Sequence, residues 1–385
     1  MARPIHRRRL LAGFGLAGAA GFGLAACTRT QETPPKADGP SVAITSPGPD
    51  AQGVPAAAEI TYALRDAVGA RVELRSAAGE LIPGEDRPDL SSWVPAKTLA
   101  YATAYTVTIT AGGTDGKPVS ARHTFTTMAK PAKTIRLSSF LGDGARPGVA
   151  MPLMFTFSRS VPAAKRAAVE KRLTVTASPA QEGAWHWQSG TQLHYRPKEF
   201  WRPGTQIGVR AAVGGLDLGN GYYGSADVRL DDVTIGPAVV LVADNATKTM
   251  TVTRDGRLLR TMPISLGKPS TPSSSGTTVI IEKLAHTIFD TFAELGPENG
   301  YRTPIDWAQR LTWGGEFIHS APWSVEQQGS RNVSHGCINV SPENAEWLFG
   351  ITSVGDPVIT KGTERKLRDG NGWTDWNLSW SAYSG

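Results

Sequence analysis

The sequence IHSAPWSVEQQGSRNVSHGCINV, residues 318–340, carries the residues around which the chain is organised. It contains Cys337, the only cysteine after Cys27, and two of the seven histidines, His319 and His335. A thiol is a strong nucleophile only as the thiolate, so a reactive cysteine needs a nearby base at neutral pH. We interpret His319 as that base, delivered by a strand. Gly336 would let the backbone approach a substrate carbonyl, and the N–H groups of Gly336 and Cys337 would form an oxyanion hole.

Two other interpretations of Cys337 stay open at the level of residue types. A single cysteine in a globular domain often behaves as a small buried hydrophobic residue. One cysteine with two histidines is also compatible with a zinc site. Against zinc, His335 and Cys337 are close in the sequence and no fourth ligand is evident.

The whole stretch resembles the catalytic motif of the L,D-transpeptidases, the YkuD domain family. That motif is a histidine followed, after a gap, by Ser/Thr-His-Gly-Cys-apolar-Asn, which here is His319 and then residues 334–339, SHGCIN. The similarity extends through Tyr301, residues 314–315 and residues 320–323, and is greatest to the multi-domain mycobacterial type.

The resemblance implies a role for each motif residue. Cys337 would be the nucleophile and His319 the general base, oriented by the backbone carbonyl of Ser320, while His335 would support the loop. The implied substrate-binding residues are Tyr301, Gly314, Gly315, Trp323, Ser334, Gly336 and Asn339. A tyrosine packed on its loop and an amide that braces the turn are the alternatives for Tyr301 and Asn339.

The implied reaction is acyl transfer between peptidoglycan stem peptides. Cys337 would attack a donor tetrapeptide, release D-alanine, and pass the acyl group from a thioester to a second stem, which gives a 3→3 cross-link. The resemblance implies no required cofactor, and it implies acylation by carbapenems. An L,D-carboxypeptidase and a non-catalytic wall-binding lipoprotein are the alternatives.

The amino terminus has the pattern of an export signal. Residues 1–27 combine three consecutive arginines, an apolar run and Leu-Ala-Ala-Cys, which has the form of a bacterial lipobox with Cys27 as the lipidated residue. Residues 28–40 would be a linker, and the protein would be anchored to the outer face of the membrane and reach into the cell wall. Removal of the four arginines in residues 1–26 lowers the net charge from +6 to +2, so the charge gives no argument for nucleic acid.

The rest of the chain predicts a mainly β protein. Short alternating segments in residues 41–128 and 129–236 resemble a repeat and predict two tandem immunoglobulin-like sandwiches. Residues 237–362 would form a β-rich catalytic domain, with an irregular loop over the site at residues 290–300. Residues 363–385 would be a short aromatic C-terminal segment that packs against the catalytic domain or the neighbouring sandwich.

One turn in the second sandwich has two interpretations. Asp217, Asn220 and Gly221 place side-chain and main-chain oxygens together, as a structural calcium ion would require. A solvated Asp/Gly turn is the alternative.

Overall fold

The computed structural model describes residues 39–87, 92–290, 292–299 and 302–385. The predicted export signal with Cys27, and also Tyr301, lie outside the described residues. The described part is mainly β, as predicted. Within these ranges, no helix has the length and apolar character needed to cross a bilayer.

The first sandwich has a five-stranded sheet in the order β2-β9-β8-β4-β5 and two strand pairs, β1-β3 and β6-β7. Tyr105, Val107 and Ile109 are buried while the residues between them are more exposed, which is the period of two expected of a strand. Its strands are β1 (Ser41–Ser46), β2 (Ala51–Val54), β3 (Thr61–Arg65), β4 (Ala67–Ser76), β5 (Leu81–Ile82), β6 (Gly84–Asp86), β7 (Trp93–Pro95), β8 (Ala104–Gly113) and β9 (Pro118–Thr127).

The second sandwich is built around a separate apolar core that includes Phe155, Phe157 and Trp201. Its sheets have the orders β11-β12-β15-β14, β13-β16-β19 and β10-β18-β17. The elements are β10 (Thr134–Ile135), β11 (Leu137–Ser139), β12 (Leu153–Phe157), α1 (Ala163–Glu170), β13 (Leu173–Ser178), β14 (Gly183–Trp187), β15 (Gln192–Pro197), β16 (Gln206–Ala211), β17 (Asp217–Gly219), β18 (Tyr222–Gly224) and β19 (Val228–Thr234).

The third domain contains two sheets, β22-β21-β20-β28-β23-β29 and β24-β25-β26-β27. The last strand of the first sheet comes from the C-terminal segment. The elements are β20 (Val239–Asp244), β21 (Thr249–Arg254), β22 (Arg257–Pro263), β23 (Ser274–Val279), β24 (Glu282–Asp290), α2 (Phe292–Asn299), β25 (Arg302–Arg310), β26 (Phe317–Ser320), the 3-10 helix Pro322–Ser324, β27 (Ile338–Val340), α3 (Pro342–Ile351), β28 (Pro357–Lys361), β29 (Arg365–Lys366), the 3-10 helix Asp375–Asn377 and α4 (Trp380–Ser384).

The prediction for residues 290–300 was wrong, because this segment contains α2 instead of an irregular loop. The backbone at Gly296 is not helical (φ 74°, ψ 175°), and Pro297 follows it, so α2 is two short turns joined at a kink. Neither turn is long enough to show a helical apolar period in the sequence.

Helix α3 begins at a local sequence signal, a capping serine followed by proline. The hydroxyl of Ser341 accepts a hydrogen bond from the N–H of Asn344, and Pro342 occupies the first turn. Ala345 and Leu348 are buried in the core of the third domain. The helix ends at Ile351.

The first sandwich is joined to the second by arginine contacts. Arg172 lies 3.1 Å from the carboxylate of Glu59 and also donates to the carbonyl oxygen of Ala57. Arg229 donates to the carbonyl oxygen of Ala96 over 3.2 Å. These contacts connect polar groups and create little shared apolar core.

The second sandwich and the third domain meet along a buried seam. The N–H of Gly148 donates to the carbonyl of Val354 (2.9 Å), and the N–H of Ala150 donates to that of Gly355 (2.8 Å). A Cβ atom at Gly148 would lie 2.2 Å from Oδ1 of Asp356, so only glycine fits there. One apolar cluster spans the seam and includes Ala150, Met151, Met154, Val279, Ile281 and Trp373.

The aromatic C-terminal segment lies against the second sandwich. The guanidinium carbon of Arg196 lies 4.6 Å from the ring centre of Trp376 and 4.3 Å from that of Tyr383. Asp375 is fully buried and accepts hydrogen bonds at Oδ1 from His194 (3.0 Å), Gln188 (2.9 Å) and Tyr383 (3.1 Å). Burial would raise the pKa of Asp375, but the charge and hydrogen bonds of His194 and Gln188 hold it below its usual value.

Replacement of Asp375 is therefore predicted to destabilise the protein. Asp375→Ala removes the acceptor of three donors and leaves these groups without their buried partner, so we expect a loss of about 3–5 kcal/mol in the free energy of unfolding. Urea denaturation measures this loss. The control is Glu364→Gln at an exposed position, with an expected change below about 0.5 kcal/mol. A change below about 1 kcal/mol in Asp375→Ala would contradict the assigned role.

Candidate active site

Parallel pairing of β26 with β27 brings the predicted base and nucleophile together. The register places Ile318 opposite Ile338 and His319 opposite Asn339. Side chains alternate along a strand, and paired residues of neighbouring strands share a face. Cys337 lies two residues before Asn339, so its side chain is on the same face as that of His319.

The buried imidazole of His319 is held in one orientation. The ring is 3% exposed, and Nδ1 lies 2.8 Å from the carbonyl oxygen of Ser320. Because a carbonyl oxygen only accepts, Nδ1 carries the proton and Nε2 is left as the basic nitrogen. Burial lowers the pKa of His319 to about 4, although the hydrogen bond to Ser320 raises it. The ring is therefore neutral at pH 7.

The thiol of Cys337 is partly exposed and protonated at rest. Its sulfur donates to the carbonyl oxygen of Gly315 over 3.6 Å. The pKa of Cys337 is raised to about 12, chiefly because protein is packed around the sulfur. A hydrogen bond from the backbone of Phe317 lowers this pKa, and the negative charge of Glu316 raises it further. Cys337 is therefore a neutral thiol in the resting state.

Hydrogen bonds within and around the motif fix the loop that carries the thiol. The hydroxyl of Ser334 donates to the carbonyl of Cys337 (2.6 Å) and accepts from the N–H of Gly336 (3.1 Å). Ser273 donates to the carbonyl of Gly336 (2.7 Å), whose φ of 130° favours glycine. The N–H of Gly336 is thus used inside the loop. Of the two donors predicted for the oxyanion hole, that of Cys337 remains.

Two of the predicted substrate-binding residues, Gly315 and Trp323, contact the thiol or the imidazole, and Gly314 is adjacent to Gly315. Gly315 has a φ of 85° and contributes the carbonyl that contacts the sulfur. The N–H of Gly314 donates to Asn371 over 2.8 Å. Trp323 is 58% exposed, and its ring centre lies 5.9 Å from that of His319. Contact of these three residues with substrate stays a prediction.

Asn339 and His335 occupy different environments. Asn339 is 2% exposed, and its Nδ2 donates to the hydroxyl of Ser324 over 3.1 Å, which favours the alternative that it braces the turn. His335 is exposed, and its Nε2 lies 3.1 Å from the ammonium group of Lys268. Partial burial and the charge of Lys268 lower the pKa of His335. Its position on the loop suits a supporting role.

Comparison with known proteins identifies the third domain. Residues 238–360 match the L,D-transpeptidase catalytic domain family, YkuD, and residues 51–217 match the bacterial Ig domain family. The chain is 36% identical over 337 residues to L,D-transpeptidase 2 of Mycobacterium tuberculosis (strain CDC 1551 / Oshkosh). The matched region covers 86% of this chain and 81% of that protein. The chain belongs to the L,D-transpeptidase family.

Two further similarities support this assignment. L,D-transpeptidase 5 of Mycobacterium tuberculosis (strain H37Rv) is 34% identical over 392 residues, which is 99% of this chain and 85% of that protein. The solved structure of LD transpeptidase LdtMt1 in complex with imipenem is 35% identical with a TM-score of 0.51, and covers 60% of this chain and 100% of that chain. The predicted family, L,D-transpeptidase function and order of immunoglobulin-like and catalytic domains are confirmed. The single bacterial Ig match extends across both sandwiches.

The metal interpretations of this L,D-transpeptidase find little support in the side chains. Among the described residues, no three His, Cys, Asp or Glu side chains are grouped as metal ligands, which disfavours zinc at Cys337. In the turn between β17 and β18, Oδ2 of Asp217 pairs with Lys165 (2.5 Å) and Oδ1 accepts the N–H of Gly219 (2.8 Å). Asn220 and Gly221 have φ values of 55° and 73° and form the turn. With its carboxylate paired to an ammonium group, the turn fits calcium poorly, and calcium binding there stays a prediction.

Sequence reasoning missed two groups at the site. Glu316 is 8% exposed next to the thiol, and its carboxylate pairs with Arg365 of the C-terminal segment. Phe289 of β24 packs on Phe317 and on His319, with ring centres 4.5 and 5.3 Å apart. A charged residue next to a buried strand was a detectable signal for Glu316. Nothing near Arg365 in the sequence indicated that it reaches the active site.

The lowered pKa of His319 predicts a component of acid destabilisation. Between pH 6.5 and 4 the unfolded chain binds a proton at this residue and the folded chain does not, so stability rises with pH in this range and is lost as pH falls. Comparison with His319→Gln isolates this component from other titrating groups. On going from pH 7 to 4.5, we expect the wild type to lose about 2 kcal/mol more than the variant, measured by urea denaturation. Equal losses would contradict a buried neutral imidazole.

Proposed function

We propose that this L,D-transpeptidase acts through a thioester on Cys337. The observation that carries the proposal is the placement of the partly exposed thiol on the same face as His319, whose Nδ1 is held by the Ser320 carbonyl (2.8 Å). This arrangement leaves Nε2 as the acceptor for the proton of the thiol. The donor is a stem peptide of peptidoglycan, as the motif implies.

The first half-reaction is acylation. As the sulfur of Cys337 bonds to the carbonyl carbon of the third stem residue, Nε2 of His319 takes the thiol proton. The N–H of Cys337 stabilises the tetrahedral oxyanion, an effect worth about 3 kcal/mol per donor in comparable sites. The imidazolium then gives its proton to the departing amine, and D-alanine leaves while the thioester remains.

The second half-reaction is transfer to an acceptor. The side-chain amine of the third residue of another stem attacks the thioester carbonyl, and His319 takes a proton from that amine. The carbon–sulfur bond breaks, the sulfur regains a proton, and a 3→3 cross-link results. Water in place of the amine would give L,D-carboxypeptidase activity.

Both pKa shifts shape this mechanism. A thiol with a raised pKa and an imidazole with a lowered pKa are both uncharged before substrate arrives. Charge separation between them is therefore created only during attack, when an oxyanion donor and an acyl carbonyl are present to stabilise it. In this mechanism, Cys337 and His319 become charged only after substrate has bound.

Imipenem provides a direct test, because LdtMt1 has been solved in complex with imipenem. We expect the intact protein to gain the mass of one imipenem-derived adduct. Cys337→Ala should abolish the adduct, and the matched control, Cys27→Ala, should retain it. His319→Ala should slow acylation by about 10²- to 10⁴-fold, the usual contribution of a general base. An adduct that persists in Cys337→Ala would refute the thioester.

Incubation with a disaccharide tetrapeptide distinguishes the two outcomes of acyl transfer. A cross-linked dimer with released D-alanine supports the transpeptidase, and tripeptide alone supports the carboxypeptidase. Recovery of unchanged tetrapeptide from protein that still binds cell-wall polymer would instead support the non-catalytic alternative.

We also propose that residues 1–27 direct export and that Cys27 carries a lipid anchor on the outer face of the membrane. The support is the succession of arginines, apolar run and Leu-Ala-Ala-Cys in the sequence. Full-length protein made in a bacterium with lipoprotein processing should partition into the detergent phase of a Triton X-114 extract. Cys27→Ala should move it to the aqueous phase, whereas Cys337→Ala should not.

A further inference from the structure

We propose that Arg365 is a positioning residue for the Cys337 thiol, and that it acts by neutralising Glu316. The effect of Arg365 on the thiol does not depend on the proposed function of Cys337. Only the effect of Arg365 on catalysis rests on that function. This role of Arg365 makes β29, which comes from the C-terminal segment, a part of the active site.

The carboxylate of Glu316 is almost entirely enclosed. Glu316 is 8% exposed and directly precedes β26, the strand that delivers His319. Its two oxygens accept the N–H of Ser274 (3.2 Å) and the hydroxyl of Ser274 (2.8 Å), and one of them also pairs with the guanidinium of Arg365. A buried carboxylate needs such partners, because desolvation of its charge is costly.

The backbone places Arg365 opposite these groups. Strand β29 pairs in parallel with β23, and the register puts Arg365 opposite Ser274 and Lys366 opposite Ser275. Ser274 and Arg365 are therefore paired between the two strands, and both also contact the carboxylate of Glu316. Arg365 supplies the positive charge of this cluster.

The ion pair lies against the loop that carries the nucleophile. A Cβ atom at Gly336 would be 3.6 Å from Nη2 of Arg365 and 3.6 Å from Cγ of Glu316, which is van der Waals contact. Gly336 is bonded to Cys337. The charges of Glu316 and Arg365 therefore lie close to the sulfur of Cys337.

The sign of the effect follows from electrostatics. A negative charge beside a sulfur disfavours the thiolate that develops during attack, and a compensating positive charge removes that penalty. The other charged or titratable groups on the elements around this loop include His319 on β26, Lys366 on β29, Lys268, which contacts His335, and the loop residues Glu326, Arg331 and His335. None of these is in the cluster that binds the Glu316 carboxylate, so loss of Arg365 leaves a single uncompensated carboxylate.

The experiment measures the reactivity of the thiol itself. Full-length protein is treated with iodoacetamide across a range of pH, and alkylation of the peptide that contains Cys337 is quantified by mass spectrometry. We expect Arg365→Gln to slow alkylation at every pH below the pKa of the thiol, about tenfold for each unit by which that pKa rises. Arg365→Lys, which keeps the charge, should restore most of the rate.

Two further variants isolate the cause. Lys366→Gln removes the same charge from the neighbouring exposed residue of β29 and should leave the profile unchanged. The double variant Glu316→Gln with Arg365→Gln removes both charges and should return the alkylation rate at each pH to the wild-type value or above it.

Any of three results would overturn the proposal. Arg365→Gln and the wild type could be alkylated at the same rate at each pH, or Lys366→Gln could slow alkylation as much as Arg365→Gln does. The third is a double variant that is alkylated as slowly as Arg365→Gln alone. Alkylation requires no peptidoglycan substrate. It therefore reports on Arg365 even if Cys337 proves not to be the nucleophile of the transpeptidase, and the two proposals fail independently.

Discussion

Parallel pairing of two short strands, β26 and β27, is the constraint on which the site depends. It places His319, within one strand, on the same face as Cys337, which directly precedes the other strand, so that the proposed base and the proposed nucleophile are brought together although they are distant in sequence. Backbone hydrogen bonds between Ser265 and Asn339 hold β27 from its other side. Helix α3 follows directly, and its buried Ala345 and Leu348 connect the strand to the core. A shift of β27 by one residue would turn the thiol to the opposite face.

The arrangement separates two properties of the cysteine that are often treated together. The sulfur is partly open to a substrate, yet its surroundings favour the neutral thiol. The histidine beside it is enclosed and equally favours its neutral form. The site is therefore preorganised in geometry, with the carbonyl of Ser320 fixing the imidazole, but uncharged before the reaction. The charges of Glu316 and Arg365 beside the loop offset each other, so the site lacks the electropositive surroundings of a thiolate enzyme.

The sequence was informative wherever the determining interactions are local. The motif around Cys337 identified the nucleophile candidate, its base and the orienting carbonyl, and Ser341 with Pro342 marked the start of α3. Alternating apolar residues such as Tyr105, Val107 and Ile109 were enough to predict strands.

It was uninformative where partners are distant in the chain or act collectively. The pairing of Glu316 with Arg365 depends on how β29 joins β23, which no local pattern specifies. The neutral state of the thiol depends on the protein packed around it. The kinked α2 was missed because Gly296 and Pro297 ordinarily indicate a loop.

The seam between the second sandwich and the third domain has a consequence for the mechanics of the molecule. Gly148 and Ala150 are bonded by their backbones to the turn before β28, and Trp373 completes a cluster formed by both domains. The join to the first sandwich, by contrast, is made by long arginine side chains. Under tension between the amino terminus and the catalytic end, the first joint would yield before the second. The catalytic domain and its adjacent sandwich would then move as one rigid arm.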